Sequence, residues 1–312
     1  MDQRRPRISA VRQAQPDIVN SPSVSVVIPT LNEARNLPHV FSRLPVGPLE
    51  VIIVDGGSAD DTVEVARKLR PDVVIAGQSR TGKGNALACG MMAATGDIVV
   101  LLDADGSTDP AEIPLFVESL VGGADYVKGS RVLPGGGSDD LTSWRRFGNA
   151  SLTRVMNALF RTDFTDSCYG YNSLWRHHVK AFDLDITPAQ PDEVGRRWGD
   201  GFEIEVLLHA RAASGGLRIA EVPSVERTRI FGESNLHAIR DGVRILRTIV
   251  REYRGSQSRK KARQGRVVIE LNAAHLRHSI HVDSASAAHE AIAFLQQYAQ
   301  GEAEQYAQGE TQ

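Results

Sequence analysis

The feature that most constrains this chain is a regular alternation between residues 23 and 120. Aliphatic runs rich in Val and Ile at 24–28, 50–54, 72–75 and 98–102 are followed by helix-like stretches at 34–44, 59–69, 84–94 and 110–120. Such runs suit strands buried on both faces, and their alternation with helices indicates a parallel sheet between two helical layers. The expected fold class is therefore α/β, Rossmann-like, with a mostly parallel sheet and helices on both faces. Ligands of such sheets bind beyond the carboxyl ends of the strands. Three polar loops fall there: Pro29-Thr30-Leu31-Asn32-Glu33, Asp55-Gly56-Gly57-Ser58 and Asp103-Ala104-Asp105.

With 312 residues, 41% hydrophobic and 24% charged, the chain has the composition of a globular protein. No apolar run approaches the roughly 18 to 20 residues of a membrane span, and the first twenty residues hold four arginines but no leader-like apolar stretch. A cytoplasmic location is expected, with the inner face of a membrane as a further possibility. Cys89 and Cys168 form no CxxC or His/Cys ligand pattern, so no zinc site is expected. A net charge of −2 argues against a nucleic-acid partner.

Asp103 and Asp105 directly follow an apolar strand, which delivers two hard oxygen ligands to the ligand edge of the sheet, suited to Mg²⁺ or Mn²⁺ shared with phosphate oxygens. An Asp-x-Asp is also a common helix cap. Asp55 ends another buried strand; it reads either as a contact to ribose or base, or as a turn with an N-cap. Gly77 to Lys83 matches GxxxxGK, but Gly84 stands where a P-loop needs Ser or Thr, leaving Lys83 as a point charge for a diphosphate. Ser58-Ala59-Asp60-Asp61 reads as a capping box, and Asp109-Pro110 as a helix start.

Taken together, the segments 26–33, 53–60, Gly82-Lys83-Gly84-Asn85-Ala86 and Asp103-Ala104-Asp105-Gly106 resemble the family 2 glycosyltransferases of the GT-A fold. The resemblance implies that Pro29, Leu31, Glu33 and Asp55 surround a GDP or UDP nucleotide. It also implies that Asp103 and Asp105 hold the metal and diphosphate, with Asp105 catalytic. The second half is similar to dolichol-phosphate mannose synthases and related polyprenyl-phosphate glycosyltransferases. The matching stretches are Lys128-Gly129-Ser130-Arg131, Arg145-Arg146, Glu221-Val222-Pro223 and 229–234. By that pattern Ser130, Arg131, one of Arg145 or Arg146, Arg229 and Ser234 face the phosphate of a polyprenyl acceptor. Ser107 and Asn235 depart from the mannose synthases, which carry Gln and Lys there, and 183–199 reads as an insertion.

The implied reaction is inverting transfer of a hexose, of mannose or glucose type. A phosphate acceptor is ionised near neutrality and needs no base. A soluble hydroxyl acceptor would need one, and Asp200 or Glu203 is the candidate, although acids there also favour a helix start. A third reading is an inactive nucleotide-binding module. Residues 240–266 hold ten Arg or Lys against Asp241 and Glu252, with Arg240, Arg244, Arg247, Arg251 and Arg254 at helical spacing. Such a helix either lies on an anionic membrane or packs its apolar face on the domain. The expected layout is a flexible segment at 1–22, the glycosyltransferase domain at 23–254 (donor half 23–128, acceptor half 129–254), and a basic linker at 255–265. A small extension at 266–298 and a disordered tail at 299–312 follow.

Overall fold

The alternating runs form strands β1 (Val24–Thr30), β2 (Leu49–Asp55), β3 (Val74–Gly77) and β4 (Ile98–Leu101). The computed structural model describes residues 22–190, 196–232, 238–264, 267–273 and 276–282; side chains are described as far as 258, except 238–240. Expectations for 1–21 and for 283–312 lie outside the described residues.

The main sheet has seven strands in the order β3-β2-β1-β4-β7-β5-β8, with β5 at Tyr126–Ser130, β7 at Asn172–Trp175 and β8 at Ile219–Pro223. All neighbours are parallel except β7, which runs antiparallel to both β4 and β5. The sheet is thus mostly parallel, as expected, but β7 has no sequence signature: Asn172-Ser173-Leu174-Trp175 lacks the aliphatic run of the others. Tyr169-Gly170-Tyr171 leads into it.

The period-2 geometry of the strands divides their aliphatics between two cores. Val27, Ile52, Val54, Val99 and Leu101 meet helices α3 (Lys83–Ala93) and α6 (Ile204–Ser214). Val26, Ile28, Val51, Ile53 and Val100 meet α1 (Leu37–Ser42), α2 (Thr62–Leu69) and α4 (Ile113–Val121). Two short strands, β6 (Gly137–Ser138) and β9 (Val225–Glu226), pair near the ligand edge, and α5 covers Ser143–Phe160.

Three local expectations change. The predicted capping box does not form, because the Ser58 hydroxyl donates to Asp55 at 2.6 Å while Asp60 accepts the Thr62 amide at 3.1 Å; α2 therefore starts later, at Thr62. Asp109 does cap a 3-10 turn at Pro110–Glu112 by accepting from Ala111. The basic stretch 255–264, expected as a linker, instead continues helix α7 (Ala238–Gln264). Its run of good helix formers at 259–264 contains no proline, and Gly255 alone does not break the helix.

Compact packing divides the chain after Tyr253. Within the second unit, β10 (Val267–Ala273) and β11 (Leu276–Val282) form an antiparallel hairpin. Within the first, α7 turns Asp241, Thr248, Ile249 and Glu252 inward and leaves Val243 and Leu246 exposed beside Arg247. Its apolar residues divide: Ile249 and Ile245 pack into the core, while Val243 and Leu246 stay exposed.

Candidate active site

A cavity of about 490 Å³ opens at the carboxyl ends of the strands. Its lining includes Lys83, Asp103, Asp105 and Glu205 together with Trp144, Arg145 and Arg227. Asp103 and Asp105 reach it because β4 ends at Leu101 and its buried aliphatics anchor the turn that follows. Thr108 steadies this turn by accepting from the Asp103 amide at 3.2 Å.

Each carboxylate of the pair has a protein cation beside it. Lys83 Nζ lies 2.7 Å from Asp103 and 2.8 Å from Glu205. Burial alone would lower the Lys83 pKa, but the charges of Asp103 and Glu205 outweigh it and raise it, so Lys83 is held protonated. Glu205 itself is raised, first by burial, with Lys83 opposing. Arg229 bridges Asp105 at 3.1 Å and Glu33 at 3.0 Å. Burial raises the Glu33 pKa, against hydrogen bonds from Asn36 and Arg229.

A second cleft, of about 470 Å³, lies between the ends of β2 and β3 and is lined by Asp55, Gly56, Gln78 and Arg80. Asp55 accepts from the Gly57 and Ser58 amides, the turn role open to it from sequence, and still edges this cleft. Leu31 is exposed on the neighbouring loop, while Glu33 and Pro29 are more enclosed.

Among the acceptor-side expectations, Arg145 and Arg229 line the main cavity, as does Arg131, but Arg131 is committed elsewhere. Its guanidinium donates to Asp166 at 2.7 and 2.9 Å and to Glu226 at 3.0 Å, with its side chain 4% exposed. Burial opposes the ionised form of Asp166, yet Arg131 and Lys128 hold its carboxyl well below the usual range. Ser130 does not face the cavity. It is fully buried, paired with Thr165 at 2.6 Å, and accepts the Val132 and Leu133 amides. Arg146 points to solvent outside the lining, and Ser234 lies outside the described residues.

The two candidate bases are likewise turned away from the cavity. Asp200, 2% exposed, is gripped by Arg80 at 2.7 and 3.0 Å. Glu203 accepts the Gly199 and Gly201 amides and pairs with Arg244 at 3.4 Å. Of the carboxylates in this segment it is Glu205, two residues on, that lines the cavity. Helical spacing places it on another face from Glu203, a signal present in the sequence once the helix start is known. Arg227 was also missed. Its only preceding cue is the short strand β9, and its side chain is 59% exposed with a 3.4 Å partner, Asp139.

Asp103 and Asp105 suit a divalent cation by ligand chemistry. Both are hard carboxylates that remain partly open, with side chains 26% and 17% exposed. Among the described residues no group of three or more His, Cys, Asp or Glu is placed to cage a metal. An ion held by this pair would take its other ligands from phosphate and water, as Mg²⁺ commonly does.

The sequence profile of glycosyl transferase family 2 matches residues 25–179. An uncharacterized glycosyltransferase of Mycobacterium tuberculosis is 33% identical over 224 residues, covering 69% of this chain and 89% of its own. The undecaprenyl-phosphate mannosyltransferase of Micrococcus luteus is 33% identical over 228 residues, 68% of this chain and 87% of that one. Among solved structures, glucosyl-3-phosphoglycerate synthase of M. tuberculosis, in complex with Mn²⁺, UDP-glucose and glycerol 3-phosphate, superposes with a TM-score of 0.57. Its identity is 21%, over 89% of this chain and 95% of that one. Among the described residues no helix is long and apolar enough to cross a membrane.

Proposed function

The chain belongs to glycosyl transferase family 2, and we propose that it transfers a hexose, of mannose or glucose type, from a GDP- or UDP-sugar to a polyprenyl phosphate. The observation that carries this reading is one cavity lined by the carboxylates Asp103 and Asp105 together with Arg145, Arg227 and Trp144, the last exposed and stacked on Phe147. The likeness to a mannosyltransferase of undecaprenyl phosphate supports the same acceptor class.

The nucleoside would occupy the cleft beside Asp55, and the diphosphate would reach Lys83 at the edge of the main cavity. Mg²⁺ or Mn²⁺ at Asp103 and Asp105 would neutralise charge on the departing diphosphate. Lys83 and Arg229 already stand at these carboxylates and would add cationic contacts to the phosphates. Arg145 and Arg227 would hold the acceptor phosphate by charge-assisted hydrogen bonds. An ionised oxygen of that phosphate attacks the anomeric carbon as the bond to the diphosphate breaks. The nucleoside diphosphate leaves with the bonding pair, and no base is required because the second phosphate pKa is about 6.

Exposed Trp144, Phe147, Val243 and Leu246, interspersed with arginines, suit peripheral contact with an anionic membrane. A soluble hydroxyl acceptor is the second reading, favoured by one feature: Glu205 lines the cavity with a raised pKa, as a base toward a hydroxyl would. The test is a thermal-shift comparison of GDP and UDP with and without Mn²⁺. Metal-dependent stabilisation by one nucleotide, absent in Asp105→Asn, supports the donor site. No shift with either, in folded protein, would favour an inactive module.

A further inference from the structure

None of the described residues of the insertion at 183–199 lines the main cavity, and they meet the donor loop at a buried group, Arg80. Arg80 follows β3, and its guanidinium reaches three residues on two stretches of chain, 185–187 and Asp200. It forms the two-point pair with the Asp200 carboxylate, donates to the Asp185 carbonyl at 2.7 Å and donates to the Thr187 carbonyl. The Asp185 carboxylate stands 3.7 Å away and is itself paired with Arg197 at 2.8 Å. The Arg80 side chain is 5% exposed, so this cation is fully committed to joining these segments.

Beneath that junction the two loops touch backbone to backbone. The Gly84 amide donates to the Asp200 carbonyl at 2.9 Å. A Cβ on Gly82 would lie 2.0 Å from the Asp200 carbonyl oxygen, and one on Gly84 would lie 1.8 Å from that of Gly199. Gly82 also has φ +141°, which only glycine adopts without strain. Between these glycines sits Lys83, at the start of α3. Five residues beyond Asp200, near the start of α6, sits Glu205. The seam between the loops therefore sets how Lys83 meets Glu205 and Asp103 in the cavity.

We propose that Arg80, through its two-point pair with Asp200, is a positioning residue that fixes Lys83 against Glu205 and Asp103 for the donor diphosphate. The inference rests on the glycosyltransferase reading above. It assigns the insertion a task, as the scaffold that supplies the carbonyls of Asp185 and Thr187 and leads directly into Asp200. Lysine cannot reproduce the planar fork that engages both carboxylate oxygens, so Arg80→Lys keeps the charge and loses the geometry.

The experiment is calorimetric titration of the full chain with GDP and UDP in the presence of Mn²⁺, alongside thermal midpoints. Wild type should bind one of the two, and Arg80→Lys should bind that nucleotide roughly tenfold more weakly, on the scale set by a misplaced contact. Asp200→Asn should show the same loss, and the double variant no more than either single, because all three break one pair. Asp185→Asn disturbs only the half-exposed partner and should lose about threefold, a milder check should Arg80→Lys not fold.

A lowered midpoint with unchanged nucleotide affinity in the folded variants would mean that Arg80 serves stability alone, and would overturn the proposal. Wild-type protein that binds neither nucleotide would overturn the donor reading itself, and this inference with it.

Discussion

The donor half and the acceptor half place charge differently at the same cavity. In the donor half, Asp103 and Asp105 come off a strand end, keep part of their surface open, and face cations delivered from elsewhere, Lys83 and Arg229. In the acceptor half the arginine singled out by sequence, Arg131, is buried between Asp166 and Glu226, and the adjacent Lys128 donates to the carbonyls of Gly129 and Asp166. Past β5 the chain makes few regular elements before α5, and buried charges hold that irregular backbone. The cavity's more open positive charge is on Arg145 and Arg227, each beside an exposed aspartate, Asp140 at 2.7 Å and Asp139 at 3.4 Å. Position after a buried strand thus points to the ligand edge for Asp103 and for Arg131 alike, but it does not tell whether the charge stays open or is taken up by buried partners.

The largest test of this contrast is Arg131→Ala. Removing the partner that donates twice to Asp166 leaves this buried carboxylate with only Lys128 and Asn149 to offset its charge and should cost about 3–5 kcal/mol, seen in urea unfolding. Because Asp166 has a lowered pKa when folded, its contribution is present above the unfolded carboxylate value of about 3.9 and is lost as pH falls below it. The deficit of the variant should therefore be full at neutral pH and shrink in acid. A variant that folds normally and loses only acceptor affinity would restore Arg131 to the ligand.

On the donor side, Asp105→Asn should do the reverse. The fold survives, while sugar transfer drops about 10²- to 10³-fold, on the scale of losing one charge-stabilising contact. Unchanged turnover would remove Asp105 from the chemistry.

A smaller effect tests the rim. Phe147→Ser combined with Leu246→Ser, two exposed positions outside the cavity lining, should weaken co-sedimentation with anionic phospholipid vesicles roughly tenfold, equivalent to about 1.4 kcal/mol. Binding to GDP or UDP should not change. Equal sedimentation of variant and wild type would show that this face does not meet lipid.

The smallest effect belongs to a surface pair used as a control. Asp125, beside the mostly exposed Arg218, has its pKa lowered to about 2, chiefly by the hydrogen bond from Arg218. Its contribution is present above about pH 4 and fades as pH falls toward 2. Arg218→Ala should move the thermal midpoint far less than Arg131→Ala, because solvent screens the exposed guanidinium.

What could be read from sequence follows the same division. The strands β1 to β4 announce themselves because each is a continuous aliphatic run, and the loops after β1, β2 and β4 are then placed by topology. Strand β7 was hidden: Asn172 and Ser173 are polar yet fully buried, the Asn172 Oδ1 accepting from His209 Nε2 at 3.1 Å, a contact made across 37 residues. The two readings of Asp200 and Glu203 could not be separated from sequence for a related reason. Their partners, Arg80 and Arg244, are distant in sequence, and only the fold brings them together. Glu205 faces the cavity because α6 begins at Ile204, a boundary that shifts every side chain by about 100° per residue.

The most direct measurement of the central claim is transfer of labelled sugar from GDP-mannose and UDP-glucose, with Mn²⁺, to undecaprenyl phosphate in vesicles, compared with undecaprenol and with Asp105→Asn. The account predicts a labelled lipid from one donor, formed with the phosphate and not with the alcohol, and lost in the variant. Folded protein that binds a nucleotide yet transfers no sugar to the phosphate, or transfers equally to the alcohol, would contradict it.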